Sequence, residues 1–193
     1  PTRVGSMTAA DPLDIEYRSH ERVQELIDRI RVCVEDISLS FQRWEGPYVT
    51  GPGLYFAVVS GPTVRDHADP MGNNRWPDVD NRDILDDVDG FYEATTEVAR
   101  TRDGAVVVSV DGVVQEQLVR FRSYSPESER SREDSSPYAD WMGSRHMSAL
   151  DTSARPDVVT TITLSAETGR VTVFEEGEYT TIPREELTRT WVH

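Results

Sequence analysis

The sequence contains no lysine, so all 20 of its Lys and Arg positions are arginine. They are set against 35 Asp and Glu residues, which gives a net charge of −15 at pH 7. A chain this acidic lacks the clustered cations that bind a nucleic-acid backbone, and we expect no nucleic-acid partner. An acidic, lysine-free surface is typical of a cytosol at very high salt, where charge repulsion is screened. We therefore interpret the chain as halophilic; an ordinary acidic mesophilic protein is the alternative.

The sequence also has little cysteine and no long apolar run. Its one cysteine, Cys33, cannot form an intramolecular disulfide, which indicates a reducing, cytoplasmic location. Apolar neighbours at 30, 32 and 34 predict that this thiol is buried. No run approaches the roughly 20 apolar residues that span a bilayer, and no secretory signal pattern is present, so we expect no membrane contact. Residues 1–6 are interpreted as an expression-tag scar, and residues 7–193 as a single domain.

The N-terminal part of the chain combines a helix pattern with a strand pattern. Apolar residues recur at three- and four-residue steps over 19–43, which predicts an amphipathic helix. A Gly- and Pro-rich connector at 46–53 leads to the apolar run 54–60, which predicts a buried strand. Residues 61–88 are polar and contain several Asp and Pro residues, and we expect a long loop there.

The middle of the chain contains a further helix and a hairpin pattern. Residues 90–102 are predicted to form a helix, and the apolar run 105–110 a central strand. A turn at 111–112 is expected to lead into a partner strand over 113–121. Residues 124–140 are rich in Ser, Glu and Arg, which predicts a solvated loop.

The C-terminal part of the chain also contains alternating helix and strand patterns. The predicted elements are a helix at 144–153, a strand at 158–164, a hairpin at 170–182 and a closing helix at 183–192. Because strand and helix patterns alternate and hairpins are inserted, we predict an α/β fold with a central mixed β-sheet flanked by helices.

Three short segments carry residues suited to chemistry. Asp103-Gly104-Ala105 lies between a predicted helix and a central strand, where a carboxylate can hold a divalent metal. Residues 143–146, Gly-Ser-Arg-His, open a predicted helix, whose free N–H groups and Arg side chain suit an anion. Residues 165–169, Ser-Ala-Glu-Thr-Gly, end a predicted buried strand. Taken alone, each has an ordinary structural interpretation: a turn, a helix N-cap with a core histidine, and a loop into a hairpin.

Together these segments resemble the diadenylate cyclase domain family. That family's hallmarks are an Asp-Gly-Ala motif, a later Arg-His-Arg motif preceded by Gly and a small hydroxyl residue, and a Ser-Glu-Glu-type strand end. Here they occur in the same order as DGAVVVSVDG, GSRHMSAL and VVTTITLSAETGRVTVFEEG. The resemblance covers about residues 90–182 and is only general over 7–60. It implies a diadenylate cyclase-type domain and, with the acidic composition, a halophilic archaeal member of the family.

The resemblance implies an activity as well as a fold. Each protomer would bind one ATP, and two protomers of a homo-oligomer would face each other. The 3′-hydroxyl of each ATP would attack the α-phosphate of the other, giving cyclic di-AMP and two pyrophosphates. A divalent metal, manganese or magnesium, would polarise the α-phosphate and lower the pKa of the attacking hydroxyl.

The resemblance also implies site residues. The implied ATP-binding residues are Asp103, Gly104, Ala105, Gly143, Ser144, Arg145, His146, Ser165 and Glu167. The implied catalytic residues are Asp103, Gly104, Ala105, Arg145, His146 and Glu167. The implied metal ligands are Asp103, His146 and Glu167.

Two positions depart from the family pattern. Met147 stands where the second Arg of the motif is usual, and Ala166 stands where the first Glu of the strand end is usual. A nearby arginine, with Arg155 as the candidate, would restore the lost positive charge; alternatively, high salt would have changed the requirement for it. The departures leave open a non-catalytic domain that senses ATP or cyclic di-AMP. Without the resemblance, a plain α/β interaction module is a further alternative.

Overall fold

The computed structural model describes residues 16–42, 44, 50–61, 63–124 and 138–191. The interpreted tag at 1–6, most of the predicted loop at 124–140 and the first half of the connector at 46–53 lie outside these residues.

A mixed five-stranded sheet forms the centre of the described structure, in the order β3-β1-β5-β6-β7. β1 and β3 are parallel, and the remaining neighbours are antiparallel. A separate two-stranded sheet pairs β2 with β4. The strands are β1 Leu54–Val59, β2 Ala68–Arg75, β3 Val106–Ser109, β4 Gln117–Phe121, β5 Val158–Leu164, β6 Val171–Glu175 and β7 Glu178–Ile182.

Helices cover both faces of this sheet, which confirms the predicted α/β class. A 3-10 turn at Tyr17–Ser19 precedes the first helix. The helices are α1 Glu21–Ser40, α2 Val88–Thr101, α3 Ser144–Ser153 and α4 Arg184–Trp191. Predicted and observed helix ends differ by at most three residues, and the predicted start of α3 is confirmed.

The alternation of side chains along β1 divides the core into two layers. Phe56 and Val58 lie in an apolar cluster with residues of α1 and α2. Tyr55, Ala57 and Val59 point to the opposite face, where α3 packs. All six residues of β1 are buried, as expected for a strand covered on both faces. Cys33 lies in the α1 layer with 7% exposure, which confirms its predicted burial.

Of two sequence-based predictions about the middle of the chain, the loop at 61–88 was wrong and the pairing of 113–121 with 105–110 was confirmed in part. The predicted loop at 61–88 contains β2, whose sequence includes Pro70 and Gly72 and therefore has no strand signal. β2 exists because β4 pairs with it, and this long-range pairing overrides local propensity. The segment 113–121 returns toward β3 through isolated bridges, but its regular strand partner is β2.

Within the described residues, no helix combines the length and apolar character needed to cross a membrane.

Candidate functional site

The three motif segments meet at one end of the central sheet. β1 begins at Leu54, which is paired with Leu164 at the end of β5. In the parallel neighbour, Phe56 of β1 is paired with Val106 at the start of β3. The turn before β3 and the turn after β5 therefore lie side by side, although about 60 residues separate them in the chain.

A cleft of about 540 Å³ lies at this end of the sheet, below the N-terminus of α3. All nine site residues expected from the sequence line it: Asp103, Gly104, Ala105, Gly143, Ser144, Arg145, His146, Ser165 and Glu167.

The first turn of α3 leaves its backbone N–H groups available. Gly143 occupies the N-cap position in an extended conformation, so no side chain caps the helix there. Ser144 is the first residue of the helix, and the alternative that it is the N-cap is wrong. An N-terminus of this kind suits an anion, because the helix dipole and the free N–H groups act together.

Arg145 projects from this turn into the cleft, where it is half-buried. Burial lowers the pKa of its guanidinium, and the nearby charge of Asp103 acts in the opposite direction. In the described part of the chain, no carboxylate lies within ion-pair distance of Arg145. A half-buried arginine without a carboxylate partner is suited to bind an external anion.

His146 is more deeply placed, with 6% exposure. Its Nε2 atom is buried and has no hydrogen-bond partner among the described residues. Burial, followed by the charges of Arg145 and Arg170, lowers the pKa of the imidazole to about 4. The ring is therefore neutral near pH 7, and its free nitrogen can make one hydrogen bond to a ligand.

Two further motif residues have defined local roles. Gly104 has a φ of +100°, and a Cβ there would lie 3.0 Å from the carbonyl oxygen of Val119. Glycine is therefore required for the turn into β3. Ser165 accepts hydrogen bonds of 3.3 Å from the N–H groups of Glu167 and Thr168. It thus orders the turn that brings Glu167 to the cleft.

The predicted metal ligands do not form a ready metal centre. No three His, Cys, Asp or Glu side chains of the described residues are grouped so that they could hold an ion. Asp103 is exposed at the cleft. Its bond to Asn74 Oδ1, at 2.9 Å, is donated by the backbone N–H, so this bond does not occupy the carboxylate. Magnesium is often held by one or two carboxylates together with substrate phosphates. The arrangement fits an ion that arrives with a polyphosphate.

The cleft also has an apolar wall, which no sequence pattern indicates. It is formed by Tyr55, Met71, Val119 and Phe121. The Tyr55 hydroxyl lies 3.2 Å from Ser148 Oγ, and burial raises the pKa of Tyr55 to about 12. The alternation along β1 places Tyr55 on the α3 face, but no sequence signal separates that role from ordinary core packing.

The basic residue proposed to compensate for Met147 is not in the cleft. Arg155 follows the C-terminal end of α3, stacks on Tyr124 at 4.7 Å and donates to the carbonyl oxygen of Arg122. Met147 itself packs against the apolar cluster of the α3 layer. The expectation for Arg155 was therefore wrong. Arg155 is near Met147 in sequence, but it follows the C-terminal end of α3, whereas the cleft lies at the N-terminal end.

A larger groove of about 670 Å³ lies between α1 and the β6–β7 hairpin. None of the motif residues lines it, and its two arginines pair with acidic residues. We therefore place the candidate site in the motif cleft.

No family model and no curated protein matches this sequence. Among solved structures, a hypothetical membrane spanning protein from Bacillus cereus is 18% identical, with a TM-score of 0.54 over 82% of this chain. The match covers 63% of that protein, so this chain spans less than two thirds of its length. A double mutant of DacA from Staphylococcus aureus is 18% identical, with a TM-score of 0.48 over 88% of this chain and 94% of that chain. At such identities the similarity concerns the fold alone.

Proposed function

We propose that this protein is a diadenylate cyclase, which condenses two ATP molecules into cyclic di-AMP and two pyrophosphates. One observation carries the proposal: the three segments that resemble the family, far apart in sequence, line a single cleft. A chance match of short motifs would not require them to converge.

The two halves of the cleft suit the two ends of ATP. The free N–H groups at the start of α3 and the guanidinium of Arg145 favour phosphate oxygens. The neutral His146 offers one further hydrogen bond. The wall that contains Tyr55 and Phe121 is apolar and aromatic, which suits a nucleobase.

In the proposed reaction, the 3′-oxygen of one ATP bonds to the α-phosphorus of the other and loses its proton. The bond from that phosphorus to the bridging oxygen breaks, and pyrophosphate leaves. Asp103 lies at the mouth of the cleft, where its carboxylate can orient the hydroxyl and accept the proton. Arg145 balances the charge on the phosphate oxygens. A divalent ion, when bound, would add Lewis-acid activation of the phosphate.

The proposed reaction requires two copies of the chain. One cleft holds one ATP, whereas the ring contains two adenylates, so two clefts must face each other. Because two triphosphates repel strongly at that distance, the cations of both clefts are needed to bring them together. We therefore propose a homo-oligomer, or a transient pair, with opposed active sites.

A nucleotide sensor without turnover is the second candidate function. It is favoured by Met147, which removes a motif charge and packs into the core layer. Incubation with ATP and manganese or magnesium, followed by mass spectrometry, separates the two candidates. Cyclic di-AMP supports the cyclase, and bound but unchanged ATP supports the sensor.

A further inference from the structure

A second arginine, Arg170, lies beside the cleft and directly follows the short segment 165–169. The guanidinium carbon of Arg170 lies 4.6 Å from the ring centre of Trp141, in a cation–π arrangement. Trp141 lines the cleft and makes an edge-to-face contact with His146, with ring centres 5.2 Å apart. Tyr179 packs edge-to-face on the same indole ring at 5.7 Å. Trp141 is therefore held between β7 and the start of α3, and it holds Arg170 in turn.

Apart from the cation–π contact with Trp141, the guanidinium of Arg170 has no partner in the described part of the chain. No side-chain hydrogen bond or ion pair joins Arg170 to any residue there, and the same is true of Arg145. This is unexpected in a protein with 35 acidic residues and 20 arginines, where carboxylates are plentiful. Two half-buried guanidinium groups thus flank His146, whose Nε2 is itself buried and unpartnered. Two cations without a carboxylate partner and an unpartnered buried nitrogen at one helix N-terminus indicate an external anion with more than one charge.

We propose that Arg170 supplies the second positive charge of a polyphosphate site in this cleft, in place of the motif arginine that Met147 replaces. It acts through its charge, and Trp141 fixes its position. The inference rests on the polyphosphate-binding part of the proposed function and not on turnover. The inference adds Arg170 to the site; this residue directly precedes β6 and lies 25 positions after Arg145.

The test compares the binding of ATP, inorganic pyrophosphate and adenosine by calorimetry. Arg170→Gln should weaken ATP and pyrophosphate binding by roughly tenfold, the size of one charge-assisted contact, and leave adenosine within about twofold. Arg170→Lys keeps the charge, and an ammonium group can also make a cation–π contact with Trp141, so this variant should remain within about threefold of the native affinity. Arg22→Gln, on the exposed side of α1 across the sheet, is the matched control and should bind as the native protein does.

A second readout separates charge from packing. Removal of one phosphate-binding cation should flatten the salt dependence of pyrophosphate affinity in Arg170→Gln, and Arg170→Lys should retain the native slope. Native-like pyrophosphate binding by Arg170→Gln would overturn the inference, and so would equal losses in the Lys and Gln variants. If only the cyclase proposal is wrong, the native protein will still bind pyrophosphate, and Arg170→Gln will still weaken that binding, but no cyclic di-AMP will form. A native protein that binds neither ATP nor pyrophosphate would overturn both.

Discussion

A Cβ atom on Gly53 would collide with the guanidinium group of Arg145. Gly53 directly precedes β1, and its N–H donates to the carbonyl oxygen of Ala99 at 2.9 Å. The same Cβ would lie 3.0 Å from the Cβ of Ala166 and 3.1 Å from Cζ of Arg145. The space that Gly53 leaves open is therefore the space in which Arg145 reaches the cleft.

We predict that Gly53→Ala impairs the site and not the fold. The added Cβ would contact the guanidinium end of the flexible Arg145 side chain. Arg145 can move away, so the free energy of unfolding should change little. ATP affinity should fall by roughly tenfold, as expected when one charge-assisted contact is displaced. Gly61→Ala is the control, because its nearest contact would be an ordinary 3.5 Å from Asp157. Unchanged ATP affinity in Gly53→Ala would contradict the placement of Arg145.

Asp103→Asn should nearly abolish turnover and leave the fold intact. The side chain is exposed, and its backbone bond to Asn74 does not depend on the carboxylate. Loss of the group that orients the hydroxyl and accepts its proton should lower kcat by about 100-fold or more. Asp111→Asn is a matched control, since Asp111 is also exposed and also precedes a glycine with positive φ. A native rate in Asp103→Asn would contradict a catalytic role for Asp103 and would leave it only a structural role in the turn.

Cys33 should resist thiol reagents in the native protein. Burial raises the pKa of its thiol to about 12, above the ordinary 9.0, so the group is protonated at pH 8. The folded state holds this proton more tightly than the unfolded state, so the contribution to stability falls as pH rises from about 9 to 12. Ellman's reagent at pH 8 should react only as fast as the protein unfolds. Rapid labelling without denaturant would contradict the burial of α1.

The melting temperature should rise between low salt and molar potassium chloride. The chain has 35 acidic residues and 20 arginines, so carboxylates on the folded surface repel one another unless dissolved salt screens their charges. Scanning calorimetry over a salt series measures the effect. A flat or falling series would remove the halophilic interpretation and leave the site untouched.

The sequence predicted those elements that local patterns determine. The β-branched run 158–164 is β5, with no difference in its ends. Glu176 and Gly177 have φ values of +52° and +77°, as the turn of the predicted β6–β7 hairpin requires. The Arg29–Glu25 contact at 3.6 Å follows from helix spacing alone. The motif residues were found in the same way, because their types and order are visible without the fold.

The rest depends on contacts between distant segments. β2 contains Pro70 and Gly72 and forms only because β4 pairs with it. Arg170 and Trp141 are 29 positions apart, and no sequence pattern indicates that they meet. The apolar wall of the cleft, with Tyr55, depends on how α3 packs over β1.

The most direct test of the central claim is the product that the purified protein makes from ATP. The assay supplies manganese or magnesium in molar potassium chloride, and measures cyclic di-AMP by mass spectrometry and pyrophosphate by a coupled assay. We predict that the native protein forms cyclic di-AMP with two pyrophosphates released per ring, and that Asp103→Asn forms neither. ATP that binds in the cleft but yields no cyclic di-AMP, with either metal and over the whole salt range, would contradict the account.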